Sequence, residues 1–382
     1  MQKIVTMNPF IITGEYISAE YFCDREIETS TIEANVINGR NTVLISSRRM
    51  GKTGLIFHFL SQPGINAEYR SFVIDLYSTN SLQEMVMMLS REIIKKGKTK
   101  GEKVLESFVD VVKSLRPGVK MDSVTGQLVF DLSLGEISHP VESMEEIFEY
   151  LEAAPQPCIV AIDEFQQIAD YPEKNTLALL RTYVQRCRNT SFIFAGSKRR
   201  MMEKLFNSPS EPFYQSCVPL YLEAIDKNTY FKFAEALFYD AGRILTEECF
   251  DVLYRTFDGH TWYVQRILNE MYASNESVLT PKHFRDTLEY VIKLGEKAFE
   301  EQFRTYSNSQ KQLLIAVAKE GKVGAITSMA FVRKHALKSP STVQSAARQL
   351  YETEVITREK DCYYISNRLF SMWIRDNYCA IP

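Results

Sequence analysis

Several absences narrow this 382-residue chain before any motif is read. Its seven cysteines (Cys23, Cys158, Cys187, Cys217, Cys249, Cys362 and Cys379) form no C-x-x-C pair. Their scatter, several within apolar runs, argues against a zinc site or a disulfide framework and predicts reduced core thiols in a reducing compartment. No apolar run approaches the ~18 residues of a membrane-spanning helix. The start, MQKIVTMNPF, lacks a signal-peptide core, so a cytoplasmic protein without membrane contact is expected. Charge of one sign is also missing: the net charge is -3. Nucleic-acid binding therefore has no chain-wide electrostatic basis and would need a local surface. No Ser/His/Asp triad, metal cluster or nuclease carboxylate set is legible, which leaves a second enzymatic activity without support. What remains is a chain 45% hydrophobic and 24% charged, the balance of a folded protein, long enough for two or three domains.

The stretch Val43 to Thr53, VLISSRRMGKT, organises the rest. A short apolar run precedes a polar turn and Gly51-Lys52-Thr53, the tail of a phosphate-binding loop that leaves a strand and enters a helix. Unpaired N–H groups at the positive end of a helix dipole suit phosphate oxygens. Ser46, Ser47, Arg48, Arg49, Met50, Gly51, Lys52, Thr53 and Gly54 are the expected nucleotide contacts. Lys52 would reach the β- and γ-phosphates, and the Thr53 hydroxyl would ligate Mg²⁺. Ser46 stands where the motif has its first glycine, so a residue with a Cβ must make that turn.

The second motif, CIVAIDEFQ, covers Cys158 to Gln166. An apolar run ending in two acids is how a buried parallel strand delivers carboxylates to the edge of a sheet. Asp163 would hold Mg²⁺ opposite Thr53, and Glu164 would act as general base on the attacking water. Alone, this stretch also reads as a core strand ending in a solvated acidic turn; its order relative to Gly51-Lys52-Thr53 decides for a P-loop NTPase.

The pieces FCDREIE, SSRRMGKT and IDEFQ resemble the AAA+-type ATPases of the archaeal ATPase group. That group belongs to the STAND class of signal-transduction NTPases and is also frequent in bacteria. Its pattern is a hydrophobic pair with Gly-Arg-Glu-x-Glu, a Gly-Pro-Arg-Arg-x-Gly-Lys-Thr loop, and Asp-Glu-Phe-Gln. Here Asp24 replaces the glycine of the first piece, and Ser46-Ser47 replace Gly-Pro. The resemblance adds Arg25 to the nucleotide contacts. It also implies a sensor role for Ser197, which ends the apolar run SFIFAGS; a strand lying between those of the two motifs would bring it to the γ-phosphate. Among Lys198, Arg199 and Arg200, an arginine finger or an ordinary charged helix start is open. The family's Gly-x-Pro turn lacks its proline in Gly259-His260-Thr261, where His260 could sense phosphate but a capping role is expected.

Elsewhere, Ile27, Ile32, Val36 and Ile37 predict an amphipathic helix, FVIDL at 72–76 a strand, and Ser81 to about Ile94 a second helix. The basic run KKGKTKGEK from Lys95 reads as a solvated linker opening an insertion to His139. That insertion holds a helix from Val104 to Leu115 and a hairpin marked by Leu128, Phe130, Leu132 and Leu134. Ser143 and Glu146 suggest a capping box. Arg181, Arg186 and Arg188 read as surface charges, and Val218 to Leu222 as the last strand.

The expected fold is α/β: a P-loop NTPase with an AAA+/ASCE-type parallel sheet (residues 1–226, insertion about 95–140), an all-helical lid (227–298) and a C-terminal winged helix (299–382). From Gln302 onward twelve basic residues face six acidic ones. Gln344, Arg348 and Gln349 on the third helix of the winged helix permit DNA contact without compelling it. The expected activity is slow ATP hydrolysis with ATP/ADP and Mg²⁺, switching the lid and winged helix. An ATP-gated DNA-binding regulator and a weakly hydrolysing scaffold are the alternatives. A protein partner or self-association is compatible with each.

Overall fold

The computed structural model describes residues 8–12, 18–100, 112, 118–121, 128–131, 137, 139–359 and 361–379. Two compact units are present. One comprises Pro9–Phe233 with Gly259–Gln265; the other comprises Met1–Asn8, Ala234–Asp258 and Arg266–Pro382.

The first unit contains β1 (Thr42–Ile45), β2 (Arg70–Asp75), β3 (Gly118–Met121), β4 (Leu128–Asp131), β5 (Cys158–Asp163), β6 (Thr190–Gly196) and β7 (Val218–Tyr221). Five of them form a parallel sheet in the order β2-β5-β6-β1-β7. Every residue of β1, β5 and β6 is buried, as expected of parallel strands covered on both faces. The two-residue period of a strand divides them between two cores. Val43, Ile45, Val160 and Ile162 face one side, against Leu82, Met85 and Leu89 of the Leu82–Lys100 helix and Ile147 and Leu151 of Pro140–Ala153. Leu44, Ile159 and Ala161 face the other, against Ile32 and Val36 of Glu26–Ile37 and Leu55, Ile56 and Phe59 of Lys52–Ser61.

Several expectations change in this unit. Ile27 is 80% exposed and Ile37 66%, so only Ile32 and Val36 of the predicted stripe reach the core. A 12-residue helix that touches the sheet along one narrow line leaves its ends outside. The predicted basic linker begins inside a helix, which continues to Lys100; Arg91, Lys95 and Lys96 are exposed on it, and Arg and Lys are good helix formers. Ser143 makes no capping box: His139 is the N-cap, and the buried Ser143 hydroxyl donates back to the His139 carbonyl at 3.1 Å. Arg181 is partly buried, and loss of hydration lowers its pKa; Arg186 and Arg188 are exposed. Within the insertion, β3 and β4 form the antiparallel pair that the alternation predicted. The predicted Val104 to Leu115 helix, and Leu132 and Leu134, lie outside the described residues. The cysteines are unpaired thiols, and burial pushes Cys187 up to about 12.

In the second unit, β8 (Ile244–Leu245) and β9 (Val278–Leu279) pair in parallel, which corrects the all-helical expectation there. Two residues per strand are too few to show a sequence period. Beyond the Pro281–Thr305 helix come Asn308–Glu320, Met329–Lys334, Pro340–Glu352, the antiparallel β10 (Ile356–Glu359) and β11 (Cys362–Ile365), and Arg368–Tyr378. Three helices and a β-hairpin in this order are a winged helix. Phe299 and Phe303 of the Pro281–Thr305 helix pack on Phe370 and Trp373, with ring centroids 5.7–6.4 Å apart, and tie that helix to the winged helix. No helix among the described residues is long and apolar enough to cross a membrane.

Candidate functional site

The carboxyl ends of β1, β5 and β6 lie side by side and carry the motifs. The loop after β1 runs through Ser46 and Gly51 into the Lys52–Ser61 helix. Its left-handed residues are Arg49, with φ 60°, and Gly51, with φ 94°. Ser46 is not left-handed, so its Cβ carries no backbone strain. The buried Ser46 hydroxyl instead accepts from Lys52 Nζ at 3.2 Å, and the Ser47 carbonyl accepts from the same nitrogen at 3.3 Å. Lys52, 5% exposed, thus spans the loop from the first turn of the helix. Burial lowers its pKa, opposed by the charges of Asp163 and Glu164.

β5 delivers its acids as the sequence predicts. Thr53 Oγ1 donates to Asp163 Oδ2 at 2.5 Å, joining residues 110 positions apart. Asp163 Oδ1 accepts from the Glu164 N–H at 2.9 Å. Glu164 is left-handed, with φ 51°, and begins the Phe165–Asp170 turn of 3₁₀ helix. Ser197, just past β6, donates to Glu164 Oε2 at 2.8 Å. β6 lies between β1 and β5, and Ser197 at its end thereby reaches Glu164. Thr53 and Asp163 present oxygen donors only, which fits a hard cation such as Mg²⁺. Among the described residues no cluster of three or more His, Cys, Asp or Glu could hold a metal by itself. A cation here would therefore take its remaining ligands from phosphate and water.

The other predicted contacts have partners of their own. Arg48 lies 5.9 Å from the Tyr77 ring centroid, and Arg49 lies 4.3 Å from that of Trp262. Met50 is buried. Phe22 stacks on His58 at 4.2 Å, and its ring lies against Gly54, where an added Cβ would sit 3.4 Å away. Asp24 is left-handed, with φ 61°, where the resembled family has glycine. Arg25 is buried, donating to Glu28 Oε1 and to the Glu223 carbonyl, each at 2.7 Å. Arg199 bonds Glu203 at 3.0 Å and pairs with Glu223 at 3.6 Å. His260 caps the Thr261–Ala273 helix with its carbonyl, which accepts from the N–H groups of Tyr263 and Val264. Sequence reasoning missed Gln166, which donates to Glu164 Oε2, and Trp262. The Asp-Glu-Phe-Gln pattern held the only signal for Gln166.

A family described as "ATPase domain predominantly from Archaea" matches residues 22–267, and one described as "Probable winged helix domain" matches 297–376. The Walker-type ATPase of Pyrococcus abyssi superposes with a TM-score of 0.66 at 19% identity, covering 96% of this chain and 99% of that one. The ORC2 protein of Aeropyrum pernix, solved in ADPNP–ADP complexes, gives 0.56 at 11% identity, covering 98% of each. No curated protein matches the chain. The first of these family matches spans well over half the sequence: the chain belongs to the predominantly archaeal family of ATPase domains.

Proposed function

We propose that this protein is a Mg²⁺-dependent, slow ATPase whose nucleotide state sets the position of a helical lid and a winged helix. The observation that carries the reading is the convergence at one sheet edge of Thr53 on Asp163 and of Ser197 on Glu164. Lys52, from its buried position, neutralises charge on the β- and γ-phosphates. Thr53 and Asp163 would hold Mg²⁺, which when bound supplies further neutralisation of the phosphate oxygens. Glu164 orients the attacking water and takes its proton as the bond from the γ-phosphorus to ADP breaks. Ser197 restrains Glu164. The domain limits 1–226, 227–298 and 299–382, and membership of the STAND class, belong to the same proposal; the pieces FCDREIE, SSRRMGKT and IDEFQ support the latter.

ATP turnover with Mg²⁺ tests it. Wild type should hydrolyse ATP, Lys52→Ala should bind poorly and not turn over, and Glu164→Gln should bind but stall. Failure of the wild type to bind nucleotide at millimolar concentration sinks the reading.

A second reading, an ATP-gated DNA-binding regulator, draws on the Pro340–Glu352 helix. Val343, Ala346, Ala347 and Leu350 face the core, and Ser341, Gln344, Arg348 and Gln349 are exposed. Arg348 is paired with Glu352 at 2.8 Å, and Gln349 accepts from Gln310 at 3.1 Å, so both would exchange partners on DNA. Duplex binding that weakens steeply with salt and responds to ATP would favour this reading.

A further inference from the structure

We infer that Gln166 is a positioning residue for hydrolysis, fixing the Glu164 carboxylate so that one oxygen is reserved for the attacking water. This rests on the ATPase reading above. Gln166 is 2% exposed, yet its amide reaches the site: Nε2 donates to Glu164 Oε2, the oxygen that also accepts from Ser197 at 2.8 Å. Among the described residues nothing donates to Glu164 Oε1. Two donors from different elements, the 3₁₀ turn and the end of β6, thus hold one carboxylate oxygen and leave the other to accept from water.

The surroundings are shaped for this amide. A carboxylate only accepts, so the Gln166 NH₂ must face Glu164 and its Oε1 must face away. That oxygen is buried without a hydrogen-bond partner among the described residues. It lies against Gly196, where an added Cβ would come within 2.3 Å of it and within 2.4 Å of Met202 Sδ. A side chain needed only for packing would not leave a buried acceptor unpaired, because an apolar side chain of the same length fills that space without the desolvation cost. Glu164 also needs the restraint, since its left-handed backbone persists only where neighbours hold it.

Gln166→Met keeps the length and removes the donor. Its kcat should fall at least about tenfold while the KM for ATP stays within about twofold, because a misplaced base slows chemistry without weakening ground-state binding. Adding Gln166→Met to Glu164→Gln should cause no further loss, since Gln166 acts through Glu164. Gly196→Ala, which displaces the amide without removing any functional group, should give the same fall in kcat. A Gln166→Met protein with wild-type kcat, or one equally damaging in the Glu164→Gln background, overturns the inference. If wild type does not hydrolyse ATP, the ATPase reading itself has failed; if it does and Glu164→Gln stalls, only the role of Gln166 is at stake.

Discussion

The guanidinium of Arg49 stacks over Trp262, 4.3 Å from the ring centroid. It joins the phosphate-binding loop to the start of the Thr261–Ala273 helix. Such a contact contributes roughly 0.5–1 kcal/mol when exposed and more when dry. An anion bound in the loop would compete with the indole for the same cation. Nucleotide should therefore change Trp262 fluorescence. The chain has two tryptophans, and Trp373 is buried among Phe299, Phe303 and Phe370. In a Trp373→Phe variant the signal should saturate with the affinity measured by calorimetry. Unchanged emission at saturating ATP would show that Arg49 does not leave the ring.

Lys52 should make ATP binding pH-dependent. Burial lowers its pKa, and phosphate oxygens would restore the charged form. Between the depressed value of the free protein and the higher value of the complex, binding must take up a proton; below both values it takes up none. Affinity should therefore fall as alkaline pH rises through that window. The calorimetric enthalpy should depend on the ionisation enthalpy of the buffer within that window and not below it. Buffer-independent enthalpy across the alkaline range would contradict this.

Asp24→Gly should stabilise the protein by up to about 1 kcal/mol, because glycine occupies the left-handed region without the Cβ penalty. A raised Tm with unchanged ATP affinity is expected. A lower Tm would mean that the aspartate side chain, rather than the backbone, governs this turn.

The edge that carries Glu164 and Ser197 is backed by four rings, Phe165, Phe194, Phe206 and Phe213, with centroids 4.7–5.6 Å apart. Phe194→Ala should cost about 3–5 kcal/mol in denaturant unfolding. Less than about 1 kcal/mol would mean that the cluster collapses to fill the space.

Gly51-Lys52-Thr53 and Asp163-Glu164 are readable in one dimension because phosphate and metal chemistry need adjacent residues of fixed type at a strand end. The two-sided burial of β1, β5 and β6 is readable for a similar reason, since a covered parallel strand is apolar at every position. Other features are set by which strands become neighbours. Ser197 meets Glu164 because β6 runs between β1 and β5, and that order leaves no mark on any local period. Ile27 and Ile37 fit a helical stripe as well as Ile32 and Val36 do, and only the line of contact with the sheet separates them. Sequence alone determined the loop motif, the sheet type and the winged helix, because each is written in a local pattern of residue types. Tertiary structure alone decided that Gln166 and Ser197 share one oxygen of Glu164, and that Arg49 meets Trp262, because side-chain contacts across long separations depend on three-dimensional register.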